Sequence, residues 1–239
     1  MGALDGTHAR GIDVNHDHPV TSWTALQNAP EDIAFIGAKV SQGDKFSDPK
    51  FASHRIGFRS SNLELGVYFH YAEPGDARAQ ARRYRDIIGD LSSRERMCLD
   101  LERAPGLTLG NLSVDWVSTW YDELTNLQCD ISRLWIYTSK RQWNNICGGK
   151  PWVYGTSDVE LWVPRYSTNA DLEPELPEPW KDRGWLIWQF SDSQTPPHAI
   201  AGVGLCDGNV WNGNRASLHS YVSTTSTPPA PPASTLVNS

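Results

Sequence analysis

The sequence predicts an α/β protein folded as a single irregular, TIM-like β/α barrel. Short β-rich runs alternate with helical patterns over the first two-thirds of the chain, which is typical of a parallel sheet with crossover helices. In the last third, strands follow one another without long helices, so we expect fewer helices there. An open doubly wound sheet is the alternative, but the Gly-rich phosphate-binding pattern of that fold does not follow the first strand.

Eight β-rich runs give the predicted order of the strands. In the first run, Ile12 and Val14 share one face, while Asp13 lies on the other, because successive side chains of a strand point to opposite faces. The predicted strands cover residues 9–15, 33–41, 64–72, 97–102, 134–139, 160–166, 185–193 and 205–211.

Capping residues and apolar residues at helical spacing predict the helices. Residues 167–181 are acidic and rich in proline, and they predict a loop instead. The predicted helices are a short one capped by Thr21 or Ser22, one that opens at Asp48-Pro49, and others at residues 77–88, 113–127, 140–147 and 215–222.

The composition is that of a globular protein with an acidic balance. The 239 residues carry a formal net charge of −7, which argues against nucleic acid as a partner because phosphate binding needs a basic surface. Residues Met1 to Arg10 lack the apolar core of a signal peptide, and no run approaches the ~18 apolar residues of a membrane span. We expect a monomer, made and folded in a cytosol, without membrane insertion.

The four cysteines are Cys98, Cys129, Cys147 and Cys206, and none of them forms a CxxC pair. Zinc sites need closely spaced ligands, so a zinc site is not predicted. A divalent metal could use the acidic residues, but the histidines show no ligand-type spacing with them. We therefore expect four reduced thiols, no metal and no cofactor.

The end of the chain differs from the rest in composition. Residues 224–239 include the run Thr-Pro-Pro-Ala-Pro-Pro-Ala-Ser, which cannot bury a core. We expect one domain at residues 1–223 and a linker or disordered tail at residues 224–239. A linker at this position suggests that a second module follows it in a longer parent protein.

Acidic residues end the fourth predicted strand. Asp100 and Glu102 share one face, at the carboxyl end where ligands bind in α/β barrels. Asp13 lies on the first strand and Asp207 near the last, and these two strands become neighbours when a barrel closes. Four carboxylates this close cannot all stay ionised, so at least one pKa should rise. A raised carboxyl suits a general acid, and two acids around a cleft are the minimum for glycosidic bond hydrolysis.

Four aromatic residues, Tyr71, Tyr137, Trp162 and Tyr166, lie at or near the ends of predicted strands. Each of them can pack inside the protein or offer its ring face to a sugar. The residue types leave both roles open, and we take all four as candidate substrate-binding residues.

Seven short motifs follow one another along residues 9–222. They are Gly11-Ile12-Asp13-Val14, Phe35 to Lys39 with Asp48 to Phe51, Gly66 to Ala72, Leu99-Asp100-Leu101-Glu102, Leu161 to Tyr166, Trp188 to Ser191, and Cys206-Asp207-Gly208-Asn209. In this order they resemble the motifs of glycoside hydrolase family 25, the N-acetylmuramidase lysozymes of bacteria, fungi and phages, and Leu99-Asp100-Leu101-Glu102 is similar to the L-D-[VL]-E signature of that family.

The resemblance implies an irregular β/α barrel that cleaves the β-1,4 bond between N-acetylmuramic acid and N-acetylglucosamine in peptidoglycan glycan strands. It implies that Glu102 is the general acid and that Asp100 stabilises the reacting centre, with the N-acetyl group of the substrate as a plausible nucleophile. Asp13 and Asp207 would position these two acids and raise the pKa of the general acid. Retention and inversion of configuration both stay open.

The chain departs from the family pattern in two places. His16-Asp17-His18 stands where a glutamine usually follows the first Asp, and Gln42-Gly43 replaces the usual Glu-Gly. These changes could reshape the groove around the acids.

The competing function is a barrel that binds peptidoglycan or another glycan without cutting it, and the intact Asp100 and Glu102 pair favours catalysis. A chitinase-type barrel is disfavoured because Arg96 and Cys98, upstream of Asp100, are not acidic.

A muramidase domain without a signal peptide suggests a phage endolysin, which accumulates in the host bacterial cytoplasm and acts on the cell wall after crossing the membrane. Its tail would tether a cell-wall-binding module. A secreted bacterial autolysin is the competing source.

Overall fold

A computed structural model describes residues 6–102, 112–152, 159–166 and 173–224. Its helices are α1 (Trp23–Gln27), α2 (Phe51–Arg59), α3 (Ala77–Ile88), α4 (Val114–Asn126), α5 (Lys140–Cys147) and α6 (Arg215–Thr224), with 3-10 helices at Ile131–Arg133 and Glu178–Trp180. Its strands are β1 (Arg10–Val14), β2 (Ile33–Gln42), β3 (Phe46–Ser47), β4 (Leu65–Tyr71), β5 (Glu95–Asp100), β6 (Leu134–Tyr137), β7 (Glu160–Pro164), β8 (Ile187–Ser191), β9 (Ala199–Ile200), β10 (Gly204–Leu205) and β11 (Asp207–Trp211).

Eight strands within the described ranges close into a barrel. Their order is β1-β11-β8-β7-β6-β5-β4-β2, and β2 pairs again with β1. All neighbours are parallel except β11, which runs antiparallel to both β1 and β8. The predicted irregular β/α barrel is confirmed, and the open doubly wound sheet is wrong. The shortage of helices in the last third is also confirmed, because β8 and β11 are joined without an α-helix.

Alternating side chains divide the apolar residues of the barrel between an inner and an outer core. The outer core lies between the barrel and its helices and includes Ile36, Tyr68, Leu99, Ile136 and Trp188 on the strands, with Tyr84 and Trp120 on the helices. The inner core fills the barrel and includes Phe35, Val67, Cys98, Trp135 and Ile187. Leu218 and Val222 of α6 join this inner core, so α6 closes the end of the barrel opposite to the carboxyl ends of the parallel strands.

The fourth predicted strand, residues 97–102, is displaced in the structure, where β5 is Glu95–Asp100. The reason lies in the neighbouring strand, because β6 ends at Tyr137, which pairs with Asp100. Only one further backbone bond follows, from the Leu101 N–H to the Tyr137 carbonyl oxygen at 2.8 Å. Glu102 therefore lies on the segment that leaves the strand, two residues beyond Asp100.

The predicted capping residues are confirmed where they are described. Ser22 Oγ accepts from the Ala25 N–H at 3.2 Å and begins α1, and Ser113 Oγ accepts from the Trp116 N–H at 3.2 Å and begins α4. The two-residue strands β3, β9 and β10 were not predicted, because two residues cannot show a strand period.

The sequence also predicts reduced cysteines, a disordered tail and no membrane insertion. The four cysteines are free thiols, of which Cys129 is half-buried and the others are buried. Of the predicted tail at residues 224–239, only Thr224 is described, as the last residue of α6, and the rest lies outside the described residues. In the described part of the chain, no helix is long and apolar enough to cross a membrane.

A buried ionic cluster holds the amino-terminal end of β5. The Glu95 carboxylate is fully buried and accepts from Arg55 Nη2 at 3.0 Å and from Arg59 Nε at 2.8 Å. It also accepts from the Tyr68 hydroxyl at 2.9 Å and from the Ser92 N–H at 2.7 Å. Burial by itself raises the pKa of Glu95, but the hydrogen bonds from Arg59 and Arg55 outweigh it and hold the pKa below its usual value.

We predict that Glu95→Gln lowers the free energy of unfolding by about 2–4 kcal/mol at pH 7, because two arginines lose the charge that they surround. The folded-state pKa of Glu95 is lowered, so its contribution is present above the usual value of 4.5 and is lost as the pH falls below it. The deficit of the variant should therefore shrink in acid. Urea denaturation at several pH values measures this.

The control is Glu178→Gln, which changes an exposed carboxylate in the same way. It should alter the free energy of unfolding by less than ~0.5 kcal/mol. A Glu95→Gln protein as stable as this control at pH 7 would contradict the role of the cluster.

Candidate active site

All four predicted acidic residues meet at one rim of the barrel. Asp13 lies near the carboxyl end of β1, and Asp100 is the last residue of β5. Asp207 reaches the same rim as the first residue of β11, because that strand runs antiparallel and pairs Asp207 with Asp13. Together with Glu102, they line a cavity of about 170 Å³.

Asp13 and Asp207 share the donors of two buried carboxamides. Asp13 Oδ2 accepts from Asn209 Nδ2 at 2.7 Å and from Gln189 Nε2 at 2.9 Å, while Asp207 Oδ2 accepts from Gln189 Nε2 at 3.2 Å. Burial raises the pKa of both acids, that of Asp207 to about 9, where the charge of Asp13 adds to the effect. Asp13 has more donors for its charged form, so we assign the charge to Asp13 and the proton to Asp207.

Asp100 is buried at the bottom of this cavity. Its Oδ1 has no hydrogen-bond partner among the described residues. Burial raises the pKa of Asp100 well above its ordinary value, the charge of Glu102 raises it further, and the Lys39 ammonium opposes the shift. A buried carboxyl oxygen without a donor is costly unless a ligand supplies one.

Glu102 is half-buried and more accessible than Asp100. Burial and then the charge of Asp13 raise the pKa of Glu102 to about 7, against the opposing effect of Lys39. A carboxyl with this pKa carries a proton near neutral pH and can release it. Glu102 thus has the acidity that a general acid needs.

The sequence did not single out Lys39, the cation of this cavity. Lys39 Nζ donates to Gln42 Oε1 at 2.6 Å and lies 5.1 Å from the ring centre of Tyr71. Gln42 Nε2 in turn donates to Glu73 Oε1 at 2.7 Å. Because Gln42 is neutral, its bond to Lys39 does not cancel the ammonium charge. The sequence feature that could have identified Lys39 is that it is a single cation in a strand of otherwise mainly apolar residues.

The four predicted aromatic residues all line the cavity, but they do so in different ways. The Tyr137 hydroxyl donates to Gln189 Oε1 at 2.6 Å, and Trp162 Nε1 donates to Asn209 Oδ1 at 2.9 Å. Tyr137 and Trp162 therefore orient the two carboxamides that hold Asp13. The sequence did not reveal this role, and it indicated Gln189 and Asn209 only as members of motifs, without a function for either.

Trp162 crosses the barrel to reach Asn209, and a glycine makes room for it. A Cβ atom at Gly37 would lie 2.6 Å from Trp162 Cη2 and 2.8 Å from Asp13 Cβ. Any side chain at this position would displace the indole ring or Asp13.

Of the remaining aromatic residues, Tyr71 is buried and Tyr166 is 41% exposed, so Tyr166 offers an accessible ring face.

Two larger cavities lie near the acidic one. A cavity of about 600 Å³ meets the acidic one at Glu102 and Tyr166. Another, of about 560 Å³, is lined by Gln42 and His16. His16 is anchored there, because its Nδ1 lies 2.9 Å from Asp48 Oδ2 and its backbone N–H donates to the same oxygen at 3.0 Å. The acidic cavity and the cavity of about 600 Å³ thus form one continuous space at Glu102.

A cluster of acidic residues can also hold a metal ion. Among the residues that the structure describes, no group of three or more His, Cys, Asp or Glu is arranged to hold a metal ion. What the arrangement offers is a proton donor, a second buried carboxyl and a groove with aromatic walls.

Comparisons with known proteins agree on one family. The model of glycosyl hydrolases family 25 matches residues 12–198. Lysozyme M1 of Streptomyces globisporus is 27% identical over 227 residues, which cover 91% of this chain and 72% of that protein. A probable family 25 lysozyme of Dictyostelium discoideum is 24% identical over 189 residues, with 77% and 84% covered.

Solved structures show the same fold. A bacterial lysozyme from Streptomyces coelicolor superposes with a TM-score of 0.76 at 24% identity, covering 92% of this chain and 100% of that one. A family 25 lysozyme from Aspergillus fumigatus gives a TM-score of 0.74 at 24% identity, with 90% and 99% covered. The family model spans most of the chain, including the strands that carry Asp13 and Asp100, and the chain therefore belongs to glycosyl hydrolases family 25 and is a glycoside hydrolase of the lysozyme type.

Proposed function

We propose that this enzyme hydrolyses the β-1,4 bond between N-acetylmuramic acid and N-acetylglucosamine in bacterial peptidoglycan. The observation that carries the proposal is the state of Glu102, whose pKa is raised to about 7 where the acidic cavity meets the cavity of about 600 Å³. A glycan strand lying along the groove would pass this carboxyl. The family and its lysozymes supply the substrate class.

Glu102 acts as the general acid in this proposal. Its proton goes to the glycosidic oxygen as the bond to the anomeric carbon breaks, so the leaving N-acetylglucosamine departs as a neutral alcohol. Glu102 suits this step better than Asp100 because its side chain is more accessible. The resulting carboxylate can later take a proton from the attacking water.

Asp100 stabilises the other side of the reaction. Its Oδ1 has no partner among the described residues and can accept the N–H of the acetamido group of the muramic acid. That contact turns the acetamido oxygen toward the anomeric carbon, where it attacks and forms a cyclic oxazolinium ion. Water, deprotonated by Glu102, then opens the ring and completes the hydrolysis. The positive charge that develops on the intermediate favours the ionised form of Asp100, and the Asp100 carboxylate then stabilises that charge.

Asp13 and Asp207 act through the other acids. The charge of Asp13 raises the pKa of Glu102, and the hydrogen bonds of Gln189 and Asn209 keep the Asp13 carboxylate in place. Asp207 carries the proton of this pair and limits the negative charge in the cavity. These two are positioning residues and do not contact the breaking bond.

Aromatic side chains supply the sugar contacts. Tyr166 stands exposed beside Glu102, at the passage between two cavities, and its ring can stack on the apolar face of a sugar. Tyr71, Tyr137 and Trp162 form the deeper wall that limits how the substrate can lie. The competing glycan-binding module would not need a proton on Glu102, and the family favours an enzyme.

Four properties of the protein are predicted from its sequence alone. They are a monomeric state, a phage endolysin origin, release from the host cytoplasm to the cell wall, and a cell-wall-binding module after the tail. The relatives named above include bacterial and amoebal lysozymes, so they do not decide between an endolysin and another source.

We predict that Glu102→Gln lowers kcat on purified peptidoglycan by about 10²–10⁴-fold, because glutamine cannot protonate the leaving oxygen. The products are reduced with borohydride, and the newly reduced amino sugar is identified. Wild type should give reduced muramic acid.

Glu178→Gln is the matched control and should retain wild-type activity, because its side chain is exposed and does not line the groove. Reduced glucosamine from the wild type would show that the other glycan bond is cut. A Glu102→Gln enzyme with a large part of the wild-type rate would disprove the assignment of the general acid.

We also predict that Lys39→Met moves the pH–rate profile to higher pH. Lys39 lowers the pKa values of Asp100 and Glu102, so removing its charge should raise both. The basic limb reports loss of the proton on Glu102, and the acidic limb reports ionisation of Asp100. Both limbs of kcat/KM should therefore shift upward.

Lys50→Met removes the same charge from the exposed start of α2 and serves as the control. Its profile should stay at the wild-type position. If Lys39→Met only lowered the rate without moving either limb, Lys39 would have a packing role.

A further inference from the structure

The cavity of about 600 Å³ beside Glu102 is chemically different from the acidic cavity. Glu102 and Tyr166 belong to both, so the two spaces are continuous. Its other lining residues come mainly from α5 and from the segment that follows β7, and they include Lys140, Arg141, Gln142, Asn144, Asn145 and Arg165. This wall is rich in cations and carboxamides.

The positive charge of this wall is only partly neutralised. Lys140 Nζ pairs with Glu175 Oε2 at 2.9 Å. Glu175 also lines this cavity and interacts electrostatically with Arg165, but among the described residues neither Arg165 nor Arg141 forms an ion pair. A chain with a net charge of −7 thus places three cations, Lys140, Arg141 and Arg165, against the single carboxylate of Glu175 beside its proposed general acid. Guanidinium groups bind carboxylates with paired hydrogen bonds.

The backbone holds Arg165 in a defined position. Its N–H donates to the Gln189 carbonyl oxygen at 2.9 Å, and its carbonyl oxygen accepts from Trp188 Nε1 at 2.7 Å. Its Nη1 donates to the Glu173 carbonyl oxygen at 2.5 Å, so most of the guanidinium donors stay available within the described structure. Positioned donors of this kind lose little freedom when they bind an anion.

Arg141 comes from a different element of the wall, the first turn of α5. Ser139 caps that helix, with its Oγ accepting from the Gln142 N–H at 3.1 Å. Gln142, Asn144 and Asn145 line the same cavity and can donate to and accept from peptide groups. Guanidinium groups together with carboxamides match an acidic peptide better than they match a neutral sugar.

We propose that this cavity binds the acidic peptide stem that peptidoglycan carries on the lactyl group of muramic acid, with Arg141 and Arg165 paired to its carboxylates. The proposal rests on the proposed function, because the stem reaches this wall only when a glycan strand lies at Glu102. The stem is joined to a sugar of the strand itself, so its carboxylates come close to this cavity during each cleavage. The two arginines then determine specificity without taking part in bond breaking.

The test compares kcat/KM on three forms of one glycan. They are strands with native stems, strands whose stem carboxylates have been converted to amides, and strands whose stems have been removed by an amidase. The enzymes are wild type, Arg141→Gln, Arg165→Gln, the double variant, and Lys181→Gln. Lys181 is an exposed cation near the amino-terminal end of β7 and serves as the matched control for the loss of one charge.

We expect each arginine variant to lose about three- to tenfold in kcat/KM on native strands and nothing on the amidated or stripped strands. The double variant should lose more than either single variant, and Lys181→Gln should match wild type on all three substrates. Added salt should reduce the preference of the wild type for native stems.

Equal losses on native and amidated strands would overturn the proposal, because the arginines would then support the fold or the sugar contacts. A loss on stripped strands would also overturn it, in favour of the bare lactyl carboxylate. If wild type cleaves all three forms and the variants match it throughout, the peptide subsite fails while the muramidase assignment stands. If wild type cleaves none of them, the proposed function itself fails.

Discussion

The removal of carboxyl groups from water at one rim of the barrel is the constraint on which the site depends. Burial is the largest cause of the raised pKa at Asp13, Asp100, Glu102 and Asp207. Their mutual repulsion adds to it, and Lys39 and the carboxamide donors offset part of the cost. Such an arrangement destabilises the ionised form of each acid. The pKa of Glu102 is therefore high enough for this residue to hold a proton near neutral pH and to donate it.

Closure of the barrel brings these groups together. Because β11 runs antiparallel between β1 and β8, its first residue, Asp207, lies at the rim where the parallel strands end. Its third residue, Asn209, points into the same interior and bonds to Asp13. At the other end, α6 and the inner core close the barrel, and the ionic cluster of Glu95 secures the start of β5. The rigid barrel therefore supplies the positions that the acids need.

The strands of the barrel and the faces on which their side chains lie were largely predictable from the sequence, because side chains in a strand alternate between two faces. The rule that parallel strands end at one rim was enough to bring Asp13, Asp100 and Glu102 together. The direction of β11 was not predictable, since it depends on pairing between segments almost 200 residues apart. The hydrogen bonds of Tyr137 to Gln189 and of Trp162 to Asn209 were missed for the same reason, because side-chain partners across a barrel leave no local pattern.

The most direct test of Glu102 as the proton donor is to titrate its side chain in the folded enzyme. Carboxyl carbon NMR follows the titration, and the Glu102→Gln variant identifies the signal. We expect a midpoint near pH 7 and a lower midpoint in Asp13→Asn, because the charge of Asp13 helps to raise the pKa. A midpoint near the usual glutamate value of 4.5, unchanged in Asp13→Asn, would contradict this role of Glu102. Glu102 would then be ionised at neutral pH and could not be the proton donor.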